Sequence, residues 1–134
     1  MTYKVESHFI EKGLTSFALG NETLKVDVSK DRDVSLPGPA ELLLTALSSC
    51  ILKNIERFSD MLKFEYSKVH IEMEADRRES PPQFIEIRYK VMMETQEEVH
   101  RIELLHKNIK KFGTVYNSLS DEINIVGEIV KVDL

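Results

Sequence analysis

Pro39-Ala-Glu-Leu-Leu-Leu-Thr-Ala-Leu-Ser-Ser-Cys-Ile-Leu52 is the greasiest run of the chain and holds its only cysteine, Cys50. It reads as the start of a helix. Pro37-Gly38 punctuates the chain, Pro39 suits a first helical position where a missing N–H costs nothing, and Glu41 lies in the first turn, where the helix dipole favours an anion. From Leu42 to Leu52 nearly every side chain is apolar or small, so this half of the helix is predicted to be buried on more than one side. From Lys53 on, Ile55, Phe58 and Leu62 are set against Lys53, Glu56, Asp60 and Lys63, which leaves one wet face. The predicted helix is about 24 residues, or roughly 36 Å, long for so small a chain.

Upstream, Tyr3, Val5 and Phe9 alternate with Lys4, Glu6 and His8, the period of two of a strand with one wet face. Lys12-Gly13 reads as a turn. Phe17 and Leu19, then Leu24, Val26 and Val28, mark two further strands around Gly20-Asn21, and Ser29 to Leu36 reads as an exposed loop. Downstream, Val69, Ile71, Met73 and Ala75 alternate with His70, Glu72, Glu74 and Asp76. A second alternating run, Ile85 to Met93, follows a predicted loop or long hairpin at Arg77 to Pro82. Opposite charges on their polar faces, Glu72 and Glu74 on one strand against Arg88 and Lys90 on the other, are candidate cross-strand pairs. Val99, Ile102, Leu105, Ile109 and Phe112 recur at helical spacing, predicting a helix from about Gln96 to Phe112 that Gly113 ends. A short helix around Val115 to Leu119 and a last strand from Ile123 to Val132, with Gly127 as a candidate bulge, complete the order βββ, long α, ββ, α, short α, β. That is an α+β pattern with antiparallel pairing in a single domain, residues 1–134.

Composition narrows the function. The net charge of −5 argues against a general nucleic-acid surface, which needs clustered Lys and Arg to neutralise phosphates. No apolar run reaches the roughly 18 residues of a membrane span. No secretory leader is read at the start, so a cytoplasmic, reducing location is expected. One cysteine excludes an internal disulfide, and no metal cluster, phosphate loop or Ser-His-Asp pattern competes for the chemistry.

Cys50 therefore has two readings, a nucleophile or a small buried hydrophobe. The thiolate is the reactive form, and burial among Leu, Ala and Ile disfavours it. Cys50 lies three turns into its helix, beyond the reach of the N-terminal dipole. An active Cys50 is thus expected to need a cation: Arg57 two turns on, or Lys12, Arg32, His8 or His100 from elsewhere. His70 and His106 are expected to face solvent, and Ser48 and Ser49 to bond back to helical carbonyls.

The order of elements, with the pattern Pro39, Glu41, Leu42, Leu43, Ala46, Leu47, Cys50, resembles the OsmC/Ohr family of hydroperoxide-resistance proteins over essentially the whole chain. The resemblance implies curved antiparallel sheets around two central helices, an interlocked homodimer, and thiol chemistry on organic hydroperoxides. It places Cys50 at the peroxidatic position. The second, resolving cysteine of the family falls on Gly113 in Gly113-Thr-Val-Tyr-Asn-Ser-Leu119, and the family's glutamate falls on Ala40, one residue before Glu41. The family's arginine falls near Lys12 to Leu14, leaving Lys12 or Arg32 as substitutes. This is the pattern of a divergent branch without a resolving thiol. Two functions follow as expectations: a one-cysteine peroxidase served by an external thiol and needing no cofactor or metal, or a degenerate relative that binds a lipophilic small molecule at the dimer cleft.

Overall fold

In a computed structural model that describes residues 1–32 and 35–133, the elements follow the predicted order. Asp33 and Val34 of the predicted loop, and Leu134, lie outside the described residues. The chain divides into two compact units, Met1–Leu43 and Leu44–Leu134.

In the first unit, β1 (Glu6–Glu11), β2 (Leu14–Leu19) and β3 (Glu22–Asp27) form an antiparallel sheet in that order. Its turns fall where glycine permits them: Gly13 and Gly20 have φ of 83° and 64°, in the left-handed region that other residues avoid. β1 starts three residues later than Tyr3 and is exposed along its whole length, so its alternation does not correspond to one dry and one wet face in this chain. Helix α1 begins at Pro39 and runs to Leu62, as predicted. Gly38 carries its first helical bond, from the Leu42 N–H to the Gly38 carbonyl at 3.1 Å.

In the second unit, β4 (Lys68–Glu79), β5 (Pro82–Glu94) and β6 (Asn124–Lys131) form the other sheet in sequence order. Helices α2 (Val99–Phe112) and α3 (Thr114–Ser120) lie between β5 and β6 in the chain. The core joins Leu47, Ile51, Ile55 and Phe58 of α1 to Ile87, Tyr89, Val91 and Met93 of β5 and to Ile102, Leu105 and Ile109 of α2. Those α1 residues recur every three or four positions, the stripe by which a helix covers a sheet. The opposite face of the greasy half is open in this chain, with Thr45, Ala46 and Ser49 exposed and Leu52 40% exposed.

One open alternative is decided and two expectations need correction. Of the two forms expected for Arg77 to Pro82, the long hairpin is the one that forms: β4 and β5 pair out to Glu79↔Pro82, with an irregularity between Asp76 and Arg77. Charged side chains on an exposed ladder do not interrupt backbone pairing, and Pro82 is the first residue of its strand, where a lost N–H is tolerated. Pairing is not antiparallel throughout, because β6 runs parallel to β5 from Glu86↔Asn124 to Met93↔Lys131. A parallel neighbour needs a crossover of a dozen or more residues, which α2 and α3 supply. Gly127 makes no bulge in β6, since its register with Tyr89 is continuous. Of the predicted charge pairs, Glu72 lies opposite Lys90 in the ladder and Arg88 Nε pairs with Glu74 at 3.1 Å, while the Arg88 guanidinium also reaches Asp76 and holds that carboxyl below the usual carboxylate range.

Candidate functional site

Cys50 lies on the flank of the α1 stripe and is partly exposed. Two groups among the described residues approach its sulfur. One is Gly113, the single residue between α2 and α3, which is buried and has an ordinary extended backbone (φ −79°, ψ 114°) that any residue can adopt. What that position demands is space. A Cβ placed there would lie 3.2 Å from Cys50 Sγ, 3.1 Å from Tyr116 Cβ and 3.0 Å from the Ile109 carbonyl oxygen. Phe112 sets this approach by packing its ring on Phe58 of α1, with centroids 5.4 Å apart. The other group is Asn54, one turn on from Cys50, whose side-chain Nδ2 donates to Sγ at 3.8 Å. Asn54 is 7% exposed.

The remaining candidates sort plainly. Arg32 and Glu41 come together in the first unit: Arg32 Nη1 donates to Glu41 Oε2 at 3.0 Å, and a second guanidinium nitrogen pairs with Oε1. Glu41 Oε1 also accepts the Gly38 N–H at 3.1 Å, which is the carboxylate half of a capping box at the start of α1. Lys12 is exposed in the β1–β2 turn. Arg57 lies over the Phe58 ring, 5.0 Å from its centroid. Ser49 bonds back to the Thr45 carbonyl as expected, whereas Ser48 donates to Met73 Sδ at 3.6 Å. His8, His70 and His100 are exposed. A groove of about 530 Å³ on the second sheet, lined by Glu72, Glu74, Arg88, Lys90 and Glu128, does not include Cys50.

His106 overturns its expectation of solvent exposure. It is half-buried on α2, with Nε2 2.5 Å from the Tyr89 hydroxyl and the two rings edge to face. Burial, with Lys110 nearby, pushes its pKa down to about 4, and burial, with Tyr116 nearby, pushes Tyr89 up. The imidazole is therefore neutral and suited to accept the phenol proton. The local sequence carries no sign of this pair, because the residues lie on different elements. Asn54 was legible in principle, as a polar residue breaking an apolar stripe four positions after the cysteine.

The depressed His106 pKa has a consequence for stability. The fold favours the neutral ring, so this contribution is complete above the unfolded pKa of about 6.5 and is lost as pH falls toward 4. Discounted for a half-exposed ring, the loss is about 1–2 kcal/mol. Thermal melts between pH 7.5 and 4 are expected to fall more steeply for the native chain than for His106→Gln, which keeps an acceptor but does not titrate. Parallel melting curves for the two proteins would show that the ring does not couple to folding.

A family model described as OsmC-like protein matches residues 32–127. Among solved structures, the fold is similar to an OsmC-like protein from Mycoplasma pneumoniae, with TM-score 0.89 and 14% identity over 99% of each chain. It is also similar to the organic hydroperoxide resistance protein OsmC of Legionella pneumophila (TM-score 0.71, 13% identity, 96% of this chain and 98% of that one). OhrB, the organic hydroperoxide resistance protein of Bacillus subtilis, has TM-score 0.68 and 11% identity over 96% of this chain and 98% of its own. No curated protein matches the chain. At such identities the structural likeness establishes the fold.

Proposed function

The chain belongs to the OsmC-like family, and from that premise we propose that it is a stress or redox protein whose Cys50 reduces organic hydroperoxides by a one-cysteine cycle. The observation that carries the reading is the closeness of Cys50 Sγ to position 113, where a Cβ would stand 3.2 Å from it. The two positions that the family resemblance assigns to paired thiols are neighbours in space, and one of them holds no thiol. In the cycle, the Cys50 thiolate attacks the distal oxygen of the hydroperoxide, the O–O bond breaks, and the alkoxide leaves as an alcohol after taking a proton. Cys50 is left as a sulfenic acid. With no second cysteine in the chain, an external thiol displaces water to form a mixed disulfide, and a second external thiol releases Cys50. The neighbours of similar fold titled as hydroperoxide-resistance proteins lend this reading its substrate class.

The reading includes a homodimer in a reducing, cytoplasmic compartment. Its support is the open face of α1, where Ala46 and Leu52 are left to solvent in the single chain. No helix among the described residues is long and apolar enough to cross a membrane.

The test is turnover of an alkyl hydroperoxide with dithiothreitol as the reductant, for the native chain and for Cys50→Ser. Loss of the nucleophile is expected to reduce the rate by about 100-fold or more, to the level of the uncatalysed reaction. Equal turnover by Cys50→Ser would end the peroxidase reading. Absence of turnover in both, with an apolar molecule carried through purification, would favour the ligand-binding alternative.

A further inference from the structure

We propose that the Asn54 carboxamide is the group that stabilises the Cys50 thiolate and the sulfenate formed from it, in the role for which the sequence had suggested a cation. This rests on the reading of Cys50 as a working thiol.

The argument starts from what an asparagine costs at this position. Leu47, Ile51, Ile55 and Phe58 make the buried stripe of α1, and Asn54 falls within it at 7% exposure. A leucine there would continue the stripe, while a buried carboxamide loses its water and needs partners in return. The partner its Nδ2 has among the described residues is Cys50 Sγ at 3.8 Å, one helical turn away on the same face. A neutral thiol is a weak acceptor and a poor return for that burial. A thiolate is a strong one, because a hydrogen bond to an ion is about twice as strong as one between neutral groups. The geometry therefore favours the ionised sulfur more than the neutral one, which is how a donor activates a thiol.

The surroundings fit the same role. Gly113 presents the sulfur with no side chain on that flank, so no group from α2 or α3 at that position competes with the Asn54 amide for it. Arg57, the cation of this helix suggested by sequence, lies over the Phe58 ring. An amide donor also suits a one-cysteine cycle, since it holds a sulfenate oxygen without forming a covalent bond to it.

The experiment measures alkylation of Cys50 against pH in the native chain, Asn54→Leu and Asn54→Asp, with folding of each checked by thermal melting. Asn54→Leu is expected to slow alkylation at pH 7 about threefold and to move the profile to higher pH. Asn54→Asp, of the same shape but with an anion in place of the donor, is expected to slow it about tenfold. A merely structural role would lower the melting temperature without moving the profile. Identical profiles in folded variants overturn the proposal. Should both variants fail to fold, the side-chain amide resonances of Asn54 in the native chain decide: they are expected to shift with the same midpoint as alkylation, and amide signals that ignore Cys50 ionisation overturn the proposal. None of these readouts uses peroxide, so a chain whose Asn54 tunes the thiol but which turns over no hydroperoxide would sink the peroxidase reading alone.

Discussion

Gly127→Ala is expected to be the most damaging single-methyl change in the second unit, lowering stability by about 3 kcal/mol or more. Overpacking a core typically costs about 1–3 kcal/mol, and this position lies at the upper end because its neighbour cannot retreat. A Cβ at residue 127 would fall within the ring of Tyr89, its direct partner in the parallel β5–β6 ladder. That ring is 4% exposed and is tethered through its hydroxyl to His106 Nε2. Moving it would part the buried tyrosine hydroxyl from the half-buried imidazole, a further loss of about 1–3 kcal/mol. The glycine is thus covered by an aromatic ring from the next strand, a recurrent device for glycines in sheets. Denaturant midpoints of Gly127→Ala, Tyr89→Ala and the double variant measure it: the double variant is expected to be clearly less damaged than the sum of the singles, because the ring that clashes has been removed. Additive effects would mean that Gly127 is required for some other reason.

Gly113→Cys is expected to convert the one-cysteine chain into a disulfide-forming one. Across a disulfide, one Cβ lies about 3 Å from the opposite sulfur, and a Cβ at residue 113 would stand 3.2 Å from Cys50 Sγ. Closing a loop of about 60 residues stabilises by about 4 kcal/mol in the chain-entropy account. The same Cβ crowds Tyr116 and the Ile109 carbonyl, for a cost of about 1 kcal/mol or more. The oxidised variant is therefore expected to be about 4 kcal/mol more stable than its reduced form and about 2–3 kcal/mol more stable than the native chain. Gly113→Ala isolates the crowding term. One equivalent of an alkyl hydroperoxide is expected to leave the variant without free thiols, whereas the native chain retains a sulfenic acid that a dimedone probe captures. Two free thiols persisting under oxidant would show that the Cys50–Gly113 approach does not permit the bond.

The sequence by itself determined the elements and the chemical inventory. Local period and punctuation suffice for these: Pro39 and Glu41 start a helix wherever the chain goes next, the alternation of Val69 to Ala75 makes a strand, and a chain with one cysteine has no resolving thiol. The family was legible in the same way, from the spacing between Pro39 and Cys50. Only the tertiary structure decided which distant residues meet. The parallel partner of β5 depends on where α2 and α3 return the chain. The place of Gly127 depends on a tyrosine in another strand, and the burial of His106 on that same ring. Around Cys50 the residues pointed toward a cation, because their pattern shows that the helix is greasy but not which flank of it is covered. The packing set Gly113 against the sulfur, whereas Asn54 reaches it from one turn on along the same helix. Side-chain periodicity reports one element's faces, whereas a site is made by the contacts between elements, and those are fixed only when the core closes.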